Sequence, residues 1–174
     1  MMTPQDDTND SPESADDPIF INARLEMPLG VEHEVGQLLP IVTGAHLKAE
    51  LADRALADRI ARRIRAIRRR EDVSLGEGLI PVPVTDIWYL NDTDLLMQPA
   101  IVIGEPGVNA ASAHWGARLP KAFVVDGSHQ ILLDPEGIDQ VACLWGAGPS
   151  GTEAAADHFE RHYLEEWLES VAAV

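Results

Sequence analysis

Short apolar runs alternate with segments of helical periodicity along most of the chain. Three of these runs are followed by small residues, and they span residues 39–44, 99–104 and 140–146. Helical periodicity comes after each of them, over residues 45–70, 108–119 and 152–171. This repeated order of strand and helix predicts an α/β fold, a three-layer Rossmann-like domain with a mixed, mainly parallel sheet.

The other apolar runs predict strands at less central positions. Residues 19–27 are predicted to form a first strand at a sheet edge. Residues 79–90 form an extended apolar run, but Pro81 and Pro83 lack ladder N–H groups, so its start is expected at an edge or outside the sheet. A β-hairpin is predicted by the two runs that flank a Gly-Ser turn, residues 121–127 and 129–135.

The helix predicted over residues 45–70 has an apolar stripe along one side. The stripe consists of Ala45, Ala49, Ala52, Leu56, Ile60, Ile64 and Ile67. Leu47 and Leu51 fall nearly opposite this stripe. We therefore expect one of two arrangements: the first turns are buried on two sides, or a break at Asp53, as a second N-cap, separates them from the rest.

The predicted C-terminal helix carries two histidines on its polar side. Its apolar half is formed by Phe159, Tyr163, Leu164, Trp167, Leu168 and Val171. His158 and His162 lie one turn apart on the other half, but residue 159 is Phe, so the HExxH arrangement is absent. The sequence therefore predicts no metal site here.

The charge of the chain limits the partners that it can have. The 174 residues include 13 Lys and Arg against 29 Asp and Glu, which gives a formal net charge of −16. Such a surface argues against nucleic acids and anionic membranes as general partners. Residues 1–18 contain only acidic charges and predict a disordered acidic tail, followed by a single α/β domain over residues 19–174.

The chain has no apolar run of membrane-spanning length, and its first residues lack the pattern of a secretion signal. A cytoplasmic protein is therefore expected. The preference for Arg over Lys, together with abundant Ala, indicates a bacterial origin. Cys143 is the single cysteine and lies in an apolar run, so we expect a buried and unreactive thiol.

Basic residues are concentrated in the helix predicted over residues 45–70. One interpretation is a solvated surface on which the arginines pair with acids of the same chain. The other is a docking surface for an acidic protein partner or a phosphate-bearing ligand. The residues that would contact the partner are Arg59, Arg62, Arg63 and Arg65.

Three turns that each follow a predicted strand carry the main functional hypothesis. They are the glycine-containing turns at residues 43–44, 104–109 and 146–152. In a parallel sheet such turns gather at the carboxyl edge, where free N–H groups at helix starts favour phosphate or carboxylate groups. The candidate ligand-binding residues are Thr43, Gly44, Gly104, Gly107, Asn109, Gly148, Ser150, Gly151 and Thr152. The alternative is that these turns are purely structural.

Known catalytic motifs are absent from the sequence. The turns match neither a P-loop nor GxGxxG, and the chain contains no GxSxG or CxxC, so no cofactor is predicted and no catalytic residue is identified. Asp86 and Asp126 are expected near the carboxyl edge. Together with Glu153, they are the acid/base candidates if the chain is an enzyme.

Two family resemblances bear on these turns. The stretch IVIGEPGVN, with the following helix, hairpin, LDP and VACLWGAGPSGTEAA, resembles a Rossmann-like domain of archaeal S-layer-type proteins and their bacterial relatives. That match covers roughly residues 100–156, with Glu105 in place of the second glycine. The chain is also similar in outline to the SLOG superfamily of nucleotide-ligand binders, which includes the cytokinin-activating LOG enzymes. Ala155 stands where the LOG catalytic Glu would be, and Glu153 is displaced, so the resemblance implies ligand sensing without turnover.

Three functions follow as hypotheses from these observations. The first is a non-catalytic bacterial regulatory module that binds a small phosphorylated or nucleotide-like ligand or a protein partner. The second is a nucleotide-processing hydrolase or transferase of LOG-like type. The third is a structural subunit of a larger complex or homo-oligomer that associates through the arginine-rich helix.

Overall fold

The computed structural model describes residues 35–70, 79–134 and 138–172, which belong to one compact unit, His33–Val174. The predicted acidic tail over residues 1–18 and the predicted strand over residues 19–27 lie outside the described residues. None of the helices in the described ranges is long and apolar enough to cross a membrane.

Within the described residues, six strands form one mixed sheet in the order β2-β1-β3-β6-β5-β4. The strands are β1 (Leu38–Thr43), β2 (Ile80–Thr85), β3 (Ala100–Ile103), β4 (Lys121–Val125), β5 (His129–Leu133) and β6 (Val141–Gly146). β2, β1, β3 and β6 are parallel, whereas β5 pairs antiparallel with both β6 and β4. The predicted hairpin and the mixed, mainly parallel sheet are confirmed.

Helices cover both faces of the sheet. They are α1 (Leu47–Ile67), α2 (Asp86–Asn91), α3 (Thr93–Leu96), α4 (Ala110–Gly116), α5 (Gly148–His162) and α6 (Leu164–Ala172). One core layer joins α1, α5 and α6 to Ile101 and Ile103 of β3, and the other joins α2, α3 and α4 to Val102. Because successive residues of a strand point to opposite faces, β3 is buried on both, and the domain has three layers.

β2 lies at an edge of the sheet that the described residues form, as its prolines predict. Pro81 and Pro83 are two residues apart, so their missing N–H groups fall on the same side of the strand. β2 still pairs with β1 over its whole length, so this side faces outward. Arg65 of α1 donates a hydrogen bond to the carbonyl of Pro81 at 2.9 Å, and Arg68 donates one to that of Leu79. Both features oppose the addition of another strand at this edge.

Two predicted elements have different boundaries in the structure. The run predicted as extended over residues 79–90 becomes helical at Asp86, because the hydroxyl of Thr85 accepts from the N–H of Trp88 and caps α2. The C-terminal helix begins at Gly148, with Pro149 in its first turn, and is interrupted at Tyr163 between α5 and α6.

Both arrangements predicted for the start of α1 are wrong. The helix runs without a break through Asp53, so this residue is not an N-cap. Leu47 and Leu51 are 69 % and 77 % exposed, so the first turns are buried on one side only. His46 caps the helix instead, since its ring nitrogen Nδ1 accepts from the N–H of Lys48 at 3.1 Å.

The arginine-rich surface of α1 is paired with acids of the C-terminal helices. Arg59 contacts Asp157 at 2.6 Å and Glu160 at 2.8 Å, which joins α1 to α5. Arg63 contacts Glu165 of α6 at 3.3 Å. These contacts agree with the interpretation as an acid-paired surface, while binding of an acidic protein here stays a prediction.

The Arg59 contacts generate a prediction about stability. We expect Arg59→Ala to lower the free energy of unfolding by about 1 kcal/mol, because one guanidinium that is two-thirds buried loses two carboxylate partners. Arg62→Ala is the matched control on the same helix, since Arg62 is exposed and forms no ion pair with the described residues. Urea unfolding measures both, and equal effects of the two substitutions would contradict the prediction.

Candidate functional site

The three glycine-containing turns lie along one edge of the sheet. β1, β3 and β6 are neighbouring parallel strands, so residues 43–44, 104–109 and 146–152 all follow the carboxyl ends of adjacent strands. A hollow of about 200 Å³ brings the second and third turns together with α1. Its lining residues are Lys48, Ala49, Ala52, Asp53, Glu105, Val108, Gly148, Pro149 and Thr152.

This hollow lies at the position where α/β proteins commonly bind ligands. From β1 the chain proceeds through α1 to β2 on one side, and it then returns to β3 on the other side of β1. The helices that follow β1 and β3, α1 and α4, belong to core layers on opposite faces of the sheet. The crevice between two such strands is the topological switch point of an open α/β sheet.

At the second turn, Asn109 is used entirely within the protein. Its side chain is fully buried, and its Nδ2 donates to the carbonyl of Val42 at 3.3 Å and to that of Ile103 at 2.8 Å. Its Oδ1 accepts from the N–H groups of Ala111 and Ser112 at the start of α4. Asn109 therefore caps α4 and joins the ends of β1 and β3, and it has no group left for a ligand.

A buried carboxylate occupies the space beside the starts of three helices. Asp86 is 5 % exposed, and its Oδ1 accepts from the N–H of Ala45 and from that of Ile87, both at 2.8 Å. Its Oδ2 accepts from the N–H of Ala110 at 2.7 Å. Asp86 thus provides at α4 the negative charge that a bound phosphate would otherwise supply.

Close packing explains several of the candidate glycines. A Cβ on Gly44 would lie 1.9 Å from the carbonyl oxygen of Val108, so the first turn packs directly on the second. A Cβ on Gly151 would lie 2.6 Å from the carbonyl oxygen of Ser128, and Gly146 approaches the same atom. These glycines allow backbone segments to touch, whether or not a ligand is present.

The other candidate residues of the three turns differ in their exposure. Thr43 is fully buried at the end of β1, and Gly107 is exposed in the second turn. Thr152 lines the hollow, but its hydroxyl donates to the carbonyl of Gly148 at 3.2 Å. Ser150 is exposed in the first turn of α5.

The start of α5 differs from the starts of α1 to α4. Those four helices have side-chain caps, from His46, Thr85, Asp92 and Asn109. α5 follows Ala147, and within the described residues no side chain accepts a hydrogen bond from its first N–H groups. Since α5 is 15 residues long, these groups carry the partial positive charge of a full helix dipole.

Asp53 is the most unusual residue of the hollow. It is 4 % exposed in the middle of α1, and no donor among the described residues forms a hydrogen bond with its carboxyl group. Its Oδ2 lies against Gly104, which has a φ of +112° and where a Cβ would approach Oδ2 to 2.6 Å. Burial, and to a smaller extent the charge of Glu105, raise the pKa of Asp53 from 3.8 to about 6.

A second hollow lies on the other side of Glu105, which lines both. It has a volume of about 390 Å³ and extends over the β4-β5 turn and the end of β6. Its lining includes Asp126, Trp145 and Ser128, whose hydroxyl lies 2.9 Å from Nδ1 of His129. The two hollows give the carboxyl edge room for a ligand that is larger than one phosphate group.

The remaining side chains singled out by the sequence lie elsewhere. Cys143 is buried in β6, as predicted, and burial raises the pKa of its thiol. His158 stacks on Phe123, and its ring centroid lies 4.4 Å from that of His162. In the described ranges no group of three or more His, Cys, Asp and Glu side chains is arranged to hold a metal ion. Glu153 is exposed on α5.

Sequence reasoning missed the role of Asp53, although the sequence contains a signal for it. Asp53 follows Ala49 by four residues and precedes Leu56 by three, so it continues the apolar stripe of α1. An acidic residue at such a position is either paired inside the fold or exposed to a cavity, and the structure shows the second case.

Comparisons with known proteins identify no relative of this chain. No family model matches it, and neither the search of curated proteins nor the search of solved structures finds a match. The resemblances to S-layer-type domains and to the SLOG superfamily therefore stay hypotheses.

The unpartnered carboxyl group of Asp53 predicts a specific pH dependence. Because its folded-state pKa lies above the unfolded value, the charged form destabilises the fold, and the cost develops as the pH rises from 3.8 to about 6. At pH values above this range, we expect Asp53→Asn to increase the free energy of unfolding by up to about 3 kcal/mol. The increase should become smaller as the pH falls toward 3.8. Urea unfolding across this pH range measures the difference, and a difference independent of pH would contradict the prediction.

The contacts of Asp86 predict the opposite effect of removing a carboxylate. We expect Asp86→Ala to lower the free energy of unfolding by about 3 kcal/mol or more, because N–H groups at three helix starts lose their acceptor. Asp86→Asn should cost less, since one amide oxygen remains. Asp92→Ala is the matched control, an ordinary N-cap that should cost about 1 kcal/mol. Equal losses for Asp86→Ala and Asp92→Ala in urea unfolding would contradict this role.

Proposed function

We propose that the chain is a non-catalytic module that binds a small phosphorylated or nucleotide-like ligand at the carboxyl edge of its sheet. The observation that carries this proposal is the uncapped start of α5 beside the hollow at the switch point. The first N–H groups of a helix and its dipole together bind phosphate or carboxylate groups without the help of a basic side chain. An acidic protein can therefore bind an anion there.

The position of the anionic group follows from the caps of the other helices. Asp86 and Asn109 accept from the first N–H groups of α4, so a ligand phosphate has no free donor at that helix. At α5 the first N–H groups are those of Gly148 and Ser150, since Pro149 has none, and they have no side-chain acceptor. Gly148 also has open space above it, since a Cβ there would meet no atom within 4 Å. The phosphate group is therefore assigned to α5, and the rest of the ligand to the hollows beside Glu105.

Binding without turnover is the form of the proposal that these side chains support best. Both carboxyl oxygens of Asp86 already accept from N–H groups of the protein, and Asp86 lines neither hollow. Ala155, where the LOG resemblance would place a catalytic Glu, is fully buried in the core layer beneath α5.

A thermal-unfolding screen with Ser150→Asp tests the proposal. Pyrophosphate, ribose 5-phosphate and adenosine monophosphate at millimolar concentration are the probes. A bound probe at ten times its Kd should stabilise the wild type by about 1.4 kcal/mol. Ser150→Asp places a carboxylate in the first turn of α5, so it should stabilise the free protein by about 0.5 kcal/mol and abolish the response to every probe.

Ser150→Asn is the matched control, because asparagine has nearly the same shape as aspartate but no charge. This variant should respond to the probes as the wild type does. If Ser150→Asp is more stable than the wild type but no longer responds to the probes, its site is blocked and its fold is intact. An unchanged response of Ser150→Asp to a probe that stabilises the wild type would contradict binding at α5. No response of the wild type to any probe would contradict the proposed ligand class.

A further inference from the structure

The hollow at the switch point has two walls of opposite electrical character. Asp53 and Glu105 line one wall, and the start of α5, at Gly148 and Pro149, lines another. The carboxyl groups attract cations and hydrogen-bond donors, whereas the helix start attracts anions and acceptors. A simple phosphate can satisfy only the second wall.

The first wall requires a partner that the described part of the chain does not supply. Asp53 is more than nine-tenths buried, yet it has neither a hydrogen-bond donor nor an ion pair among the described residues. Lys48 also lines the hollow but forms no ion pair with Asp53 or Glu105. Buried carboxyl groups in proteins are paired in the great majority of cases, because an unpaired one costs several times the free energy of a hydrogen bond.

The backbone beneath Asp53 is shaped to leave its carboxyl group facing the hollow. Gly104 lies directly against Oδ2, and any side chain at that position would overlap it. The positive φ of Gly104 would also disfavour another residue. A glycine is thus needed to accommodate an acid that itself lowers the stability of the free protein. Such a combination is expected where function, rather than folding, requires the group.

We infer that the hollow binds a small zwitterion, with a protonated amine held by Asp53 and Glu105 and a phosphate or carboxylate held at the start of α5. The anionic half of this inference rests on the proposed function, and the amine half rests on Asp53. The volume of about 200 Å³ corresponds to roughly seven water molecules, so the amine and the anionic group are separated by only a few atoms.

Isothermal titration calorimetry with two matched phosphates tests the inference. O-phosphoethanolamine and ethyl phosphate differ only in the amine, so their affinity ratio isolates the contribution of the first wall. We expect O-phosphoethanolamine to bind the wild type about tenfold more tightly or better, as one charge-assisted hydrogen bond provides. Asp53→Asn should lower this ratio several-fold, with the remaining preference due to Glu105, while ethyl phosphate binds at least as tightly as before.

Asp58→Asn is the matched control, since Asp58 is exposed on the same helix and should leave the ratio unchanged. Thermal unfolding of Asp53→Asn shows whether the variant is folded, and it should be at least as stable as the wild type. Equal binding of both phosphates to the wild type would overturn the inference and leave the proposed anion site standing. Binding of neither would overturn both. Binding of Mg²⁺ alone that Asp53→Asn abolishes would overturn the amine assignment in favour of a cation site.

Discussion

The carboxylate of Asp86 determines how the carboxyl edge of this sheet is organised. It lies beneath the starts of α1, α2 and α4 and accepts one N–H group from each region. A buried charge is tolerated there because three donors and the adjoining helix dipoles compensate for its lost hydration. Side chains of the protein itself accept hydrogen bonds from N–H groups at the starts of α1, α2 and α4. In contrast, the long helix α5 begins in the same region without a side-chain cap. The placement of the candidate site follows from that difference.

Residues of the same turns divide into two roles that the sequence does not distinguish. Gly44, Gly146 and Gly151 allow backbone segments to approach each other, and Asn109 joins β1 to β3. Gly148, by contrast, opens onto free space at the start of α5. The packed glycines fix the positions of the turns, which is their structural role. The functional interpretation stays a proposal, and it concerns the open start of α5 at Gly148.

Much of the architecture could be predicted from apolar runs and their periodicity, because β1, β3 and β6 are buried on both faces and the hairpin has a clear turn. The change from strand to helix at Thr85 was missed, since one side-chain cap decides it. The contact of Asp86 with Ala110 spans 24 residues, and that of Asn109 with Val42 spans 67. Such pairs depend on strand order, which local patterns do not encode. Asp53 could have been identified as an acid on an apolar stripe, but its lack of a partner is a property of the folded chain.

The central claim is that the start of α5, and not that of α4, receives the anionic group of a ligand. Amide chemical-shift mapping during a titration with pyrophosphate tests this claim most directly, because each helix start reports separately. The account predicts the largest shift changes at Gly148, Ser150 and Gly151, with the amides of Ala110, Ala111 and Ser112 nearly unchanged. Larger changes at the start of α4, or changes spread evenly over the basic surface of α1, would contradict it.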